Sequence, residues 1–78
     1  MMLTWTTEKP TKPGQYKIRP LPHEKFMVGS EEIIGEREVT IDFVHGQRNQ
    51  DLCIFLNFSA ITVAGASLEF CGPLAPPL

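Results

Sequence analysis

The side chains in this chain that can do chemistry are few and scattered. His23 and His45 are its two histidines. One follows a proline and the other precedes a glycine, so both belong on exposed loops. No serine and carboxylate complete a nucleophile–base–orienter order around either of them. Cys53 and Cys71 are the two cysteines, and neither belongs to a Cys-x-x-Cys pair. A structural zinc site normally takes four ligands, which these do not supply. Cys53 lies in an apolar run and reads as a small buried hydrophobe. Cys71 runs into Gly72-Pro73, and sequence leaves a Cys53–Cys71 disulfide geometrically open. The expectation is two free thiols in a reducing cytoplasm. Glu31-Glu32 and Glu36-Arg37-Glu38 offer carboxylates. Adjacent strand residues point to opposite faces, however, and do not converge on one cation. Gly29, Gly35 and Gly46 are too far apart for a phosphate loop, and Gly65-Ala66-Ser67 lacks its lysine. The chain is therefore expected to hold no catalytic residue, no metal and no cofactor, and not to be an enzyme.

The aromatic and cationic residues near the start allow a different chemistry. Trp5 and Tyr16 are the one tryptophan and the one tyrosine, and Lys17 and Arg19 follow Tyr16 closely. Aromatics on a small β domain stack bases or dock proline-rich peptides. Trp5, Tyr16, Lys17 and Arg19 are therefore the candidate binding surface. The competing reading has Trp5 cap the fold and Tyr16 pack beside it.

Charge distribution limits the partners. Residues 1–25 carry Lys9, Lys12, Lys17, Arg19 and Lys25 against Glu8 and Glu24, a net of +3. Residues 26–51 carry Glu31, Glu32, Glu36, Glu38, Asp42 and Asp51 against Arg37 and Arg48, a net of −4. After Asp51 only Glu69 is charged, and the whole chain sums to −2. That balance argues against nucleic acid as a partner. It predicts instead strands of opposite charge lying side by side on a solvated face. Met1-Met2-Leu3-Thr4-Trp5 is too short an apolar stretch for a secretory signal, and no segment is long enough to span a membrane. The expected place is the cytoplasm.

Seventy-eight residues make one small domain, with too little core to enclose a large pocket. Its elements read as strands. Gln15–Arg19 alternates apolar and polar between Pro13-Gly14 and Pro20. Residues 25–29 form a weaker candidate with Phe26 and Val28 on one face. Glu36–Val44 is the clearest, with Val39, Ile41 and Phe43 on one side and Glu38, Thr40 and Asp42 on the other. His45–Asp51 reads as a hairpin loop. Leu52–Phe58 is apolar on both faces, as in a strand covered on both sides. Ile61-Thr62-Val63 and Leu68-Glu69-Phe70 flank a turn of small residues. No dozen-residue window keeps a helical repeat free of Gly and Pro, so helix should amount to fewer than about ten residues.

These readings predict an all-β fold: a small antiparallel meander of four to five strands, curled or forming a partly open barrel. Residues 1–72 are the domain, and residues 73–78 an extended proline-rich tail. Tyr16, Phe43, Ile54 and Leu56 are the expected core. The second apolar face of Leu52–Phe58 needs cover. The Trp5 segment folding back is the expected cover, and a homodimer is the alternative.

Trp5, Pro10, Pro13-Gly14-Gln15-Tyr16, Val39–Phe43 and Leu68-Glu69-Phe70-Cys71-Gly72-Pro73-Leu74 together resemble a group of small bacterial and phage proteins. That group opens with Trp, Pro and Pro-Gly-x-Tyr and ends in an acidic–aromatic segment running into Gly-Pro. The chain departs from it in having Phe70-Cys71 where a tryptophan or tyrosine is expected, and in a longer stretch between Arg19 and Arg37. The resemblance implies a fold and an origin on a bacterial or phage genome, and carries over no functional residue. The functional expectation is a small protein-interaction or accessory module with an unidentified protein partner. The alternative is a weak binder of single-stranded nucleic acid or a small ligand through Trp5, Tyr16, Lys17 and Arg19.

Overall fold

A computed structural model describes residues 4–44 and 51–74. Seven strands run in chain order: β1 (Gly14–Pro20), β2 (Phe26–Val28), β3 (Glu31–Ile33), β4 (Arg37–Phe43), β5 (Leu52–Leu56), β6 (Ser59–Thr62) and β7 (Leu68–Cys71). A single 3₁₀ turn, Val63–Gly65, is the one helical element among the described residues. The all-β expectation holds. Five strands form an antiparallel sheet in the order β6-β5-β4-β1-β7, and β2 and β3 form a separate hairpin. The loop expected at 45–51 lies almost wholly outside the described residues, but β4 and β5 pair antiparallel on either side of it.

The meander survives in β4-β5-β6. At the other end β1 pairs with β4 across the inserted β2–β3 hairpin, and β7 adds beyond β1. β6 and β7 therefore lie at opposite edges, and the sheet stays open rather than closing into a barrel. The chain crosses between those edges through the 3₁₀ turn.

Period-two alternation sorts the two faces. Tyr16 and Ile18 of β1, Val39 and Ile41 of β4, Ile54 of β5, and Leu68 and Phe70 of β7 form one buried cluster. Phe26, Val28 and Ile33 from the β2–β3 hairpin complete it, with Val63 and Ala66 from the crossover. The Trp5 segment was the expected cover, but the face of β5 that holds Ile54 is closed by these elements instead, and its other face leaves Phe55 exposed. The inserted hairpin and the crossover close the core, because they bring apolar side chains that Thr6–Gly14 lacks. Of the four expected core residues, Tyr16 and Ile54 are buried, whereas Phe43 and Leu56 are only half-buried. Phe43 is the last residue of β4 and Leu56 the last of β5, and Leu56 packs against the rim of the cluster.

Opposite charges do lie side by side on the outer face. Lys17 sits across from Glu38, and Arg19 across from Glu69. The two cysteines are both buried and free. Cys53 lies on β5 and Cys71 on β7, with β4 and β1 between them. Three strand spacings separate them by roughly 14 Å, twice the Cα reach of about 7 Å that a disulfide tolerates. The sequence left that pairing open, and the strand order excludes it.

The least expected feature is the end of β5. Leu52–Phe58 reads as one strand, but the strand stops at Leu56 and Asn57-Phe58 makes the turn into β6. Leu56 pairs with Ser59, so the loop has two residues, with φ of 52° at Asn57 and 61° at Phe58. Two consecutive left-handed residues define a type I′ hairpin turn, whose usual sequence is Asn-Gly. Asn tolerates this conformation, but a phenylalanine there is strained. Phe58→Gly should therefore stabilise the isolated chain, by about 1 kcal/mol. Urea unfolding of dilute protein checks this, and a lower midpoint in the variant would contradict it.

Candidate interaction surface

The outer face of β1 and β7 carries the residues singled out by sequence. Thr6 pairs with Phe70 through two backbone bonds, of 2.9 Å and 2.8 Å. Trp5 thereby reaches the side of the sheet opposite Phe70, and the Arg19 guanidinium stacks on its ring at 4.2 Å from the centroid. Arg19 Nε also donates to Glu69 Oε2 at 2.5 Å. Stacking and pairing hold the guanidinium flat against the sheet and neutralise its charge. Lys17 is exposed on the same face, opposite Glu38.

Tyr16 is not part of this face. It points into the core with 3% of its surface exposed. Its hydroxyl donates to the Lys12 carbonyl at 2.8 Å, and burial pushes its phenol above the ordinary value. The structure therefore brings together Trp5, Arg19 and Lys17, and removes Tyr16 from the proposed quartet. Alternation within Gln15–Arg19 dictates this, since Tyr16 and Ile18 share one side and Lys17 and Arg19 the other.

The other chemistry-bearing residues are dispersed. His23 is exposed in the turn closed by Glu24 N–H on the Leu21 carbonyl, and His45 lies outside the described residues. Glu31 does not pair with Glu32 to form a cation site. It accepts from Arg37 at 3.0 Å and from the Asn57 amide at 2.8 Å. A cleft of about 250 Å³ opens between the N-terminal segment and the end of β7, lined by Lys9, Lys12, Tyr16 and Pro73 among others. Its Lys9 is already engaged, donating to the Ala66 carbonyl at 2.6 Å. Among the described residues no three His, Cys, Asp or Glu side chains cluster as metal ligands. Nor is any helix long and apolar enough to cross a membrane.

Sequence reasoning missed a second surface, at the opposite edge of the sheet. Phe58 stands fully exposed at the tip of the β5–β6 hairpin, at 112% of its reference area. Phe55 lies on the outer face beside Ala60 and is 39% exposed. Asn57 is tied down to Glu31 of the β2–β3 hairpin, which fixes the turn and leaves the neighbouring phenyl ring projecting. Ile34 and Met27 are also exposed, but Ile34 is flanked in sequence by Ile33 and Gly35 near Glu32 and Glu36, and Met27 by strand neighbours that face inward. Among the described residues, only the β5–β6 hairpin gathers two exposed aromatics. No charged residue occurs between Asp51 and Glu69.

The two edges of the sheet differ. β7 is shielded by the Thr6 bridge and ends at Gly72-Pro73. β6, Ser-Ala-Ile-Thr, carries no charge and no proline, and among the described residues no strand pairs with its outer edge. Lysine, proline and bulges are the devices that usually keep a free edge from pairing, and β6 has none of them. The available signals in sequence were the uncharged run and Asn57, a turn former. The missing glycine after Asn57 concealed the turn.

A scan against protein-family models finds no match, and neither the curated proteins nor the solved structures contain a significant match to this chain.

Proposed function

We propose that this protein is a small, non-enzymatic protein-interaction module whose working surface is the β5–β6 edge hairpin. The observation that carries the reading is Phe58. A bulky aromatic in a left-handed turn costs stability, and full exposure returns none of it within the chain. Such strain is characteristic of contact sites. The surrounding surface suits a polypeptide partner: exposed aromatics, no charge, and a strand edge with free N–H and C=O groups. The bacterial or phage origin implied by the resemblance, and a cytoplasmic location, belong to the same reading.

Binding of single-stranded nucleic acid through the Trp5 face has weaker support. Arg19 is held by Glu69, Lys17 faces Glu38, and Tyr16 is in the core. A strand-tracking groove needs cations free to meet phosphates.

Photo-crosslinking in the native host tests the module reading. A benzophenone amino acid in place of Phe58 should give a discrete adduct with a polypeptide. The same group at exposed Glu24 should give none. No adduct at position 58, or equal adducts at both positions, would overturn the proposal.

A further inference from the structure

We infer that the partner at the β5–β6 edge is a second copy of this chain, joined antiparallel through β6 to make one continuous ten-stranded sheet. The inference rests on the module reading and names its occupant.

The backbone geometry comes first. Leu56 and Ser59 close a two-residue hairpin loop, so they form the hydrogen-bonded pair next to the turn. Bonding alternates along the ladder, which turns the N–H and C=O groups of Ala60 and Thr62 away from β5 toward the open edge. Two copies related by a two-fold axis through Ile61 place Ala60 of each opposite Thr62 of the other. All four outward groups of each strand then find partners. Residues paired across this junction share a face. The two cores therefore continue on one side, where half-buried Ile61 meets its own counterpart.

The side chains fit the same symmetry. Phe58 lies at one end of β6 and the 3₁₀ turn at the other. The antiparallel arrangement carries each Phe58 to the far end of the other copy's β6, beside exposed Ala64. There Phe43, Leu52, Val63 and Ala64 form the apolar wall of an open cleft of about 310 Å³ that Lys9 and Asp51 also line. A projecting ring and a cleft with an apolar wall, at opposite ends of one strand, make a self-complementary, isologous surface. The absence of charge between Asp51 and Glu69 removes the like-charge repulsion that two copies of an acidic chain would otherwise meet.

Closure argues for two copies rather than a fibre. Once the β6 edges are joined, the outer edges of the assembly are the two β7 strands, each shielded by its Thr6 bridge. A phenylalanine side chain buries roughly 150–250 Å². Phe58, the exposed part of Phe55 and the β6 edge together supply roughly 500 Å² per copy, near the lower limit for a specific interface. The dimer is therefore weak, dissociating at concentrations on the order of 1–100 µM.

Sedimentation equilibrium of the full chain across a concentration series tests the inference. The expected result is a monomer–dimer equilibrium in that range that ends at the dimer. Ala60→Pro removes an outward N–H, and Ala60→Lys places a charge on the edge. Each should remain monomeric at tenfold higher concentration while keeping the parent's far-UV circular dichroism. A parent protein that is monomeric up to about 1 mM would overturn the second-copy inference, as would a dimer unaffected by both substitutions or assembly beyond two copies. The two readings fail separately. A monomeric parent whose position 58 still crosslinks to a different polypeptide removes the second copy and keeps the module. Loss of both signals removes both.

Discussion

Phe70→Ala is expected to cost about 3–5 kcal/mol of folding stability. Phe70 is 1% exposed and is the largest of the fully buried side chains. Its position joins three parts of the fold. It lies opposite Ile18 of β1, its backbone holds Thr6, and its ring faces the cluster that the β2–β3 hairpin completes. Truncation leaves a cavity where none of these elements can easily follow, since each is fixed by ladder hydrogen bonds. A domain of this length has about 4–12 kcal/mol in total, so the loss takes at least about a quarter of that stability and, at the lower end, all of it. Urea unfolding followed by circular dichroism measures the loss. A cost below about 1 kcal/mol would mean that β7 does not close the core.

Gly72→Ala is expected to cost about 2–4 kcal/mol, a large effect for one methyl group. Gly72 has φ of 148°, and a Cβ there would sit 2.8 Å from Tyr16 Cδ2, 3.1 Å from the Gln15 carbonyl oxygen and 3.1 Å from Leu74 N. Two of those neighbours are backbone atoms, joined to each other by the 2.7 Å bond from Leu74 N–H to the Gln15 carbonyl. The third belongs to a ring anchored by its hydroxyl on Lys12. None can turn aside cheaply. Gly35→Ala is the internal control. It has φ of 74° but nothing within 4 Å of the added Cβ, so it should cost only the backbone component, about 1 kcal/mol. Equal costs at the two positions, read by the same unfolding experiment, would contradict the crowding at Tyr16.

Much of this architecture was legible in the sequence, and the exceptions have physical causes. β1 and β4 were readable because each buries one face and wets the other, so their side chains alternate without interruption. Phe26 and Val28 marked β2 in the same way. β3 was not readable: Glu31-Glu32-Ile33 buries only Ile33, and one apolar residue sets no period. The β1–β4 pairing spans the inserted hairpin, and alternation says nothing about which strand lies beside which. The same gap left Cys53–Cys71 open until the strand order separated them.

The candidate site was legible only in part. Trp5, Lys17 and Arg19 do share a face, as the spacing of the two cations implies. Tyr16 was drawn both as core and as surface, and its parity with Ile18 decides for core. The β5–β6 edge stayed hidden because Asn57-Phe58 breaks the usual rule for its turn. A strand-like apolar run continued on paper where the chain reverses. Local preference conflicts with the fold there, and such conflicts gather at contact sites rather than at random.

In the proposed module, Phe58 is held in a strained turn for a contact outside its own chain. One variant tests this most directly. Phe58→Gly is measured twice: by urea unfolding at a concentration where the parent is dissociated, and by sedimentation equilibrium where it associates. The expected result is a higher unfolding midpoint together with at least a tenfold weaker association. A lower midpoint, or association unchanged by loss of the ring, would contradict it.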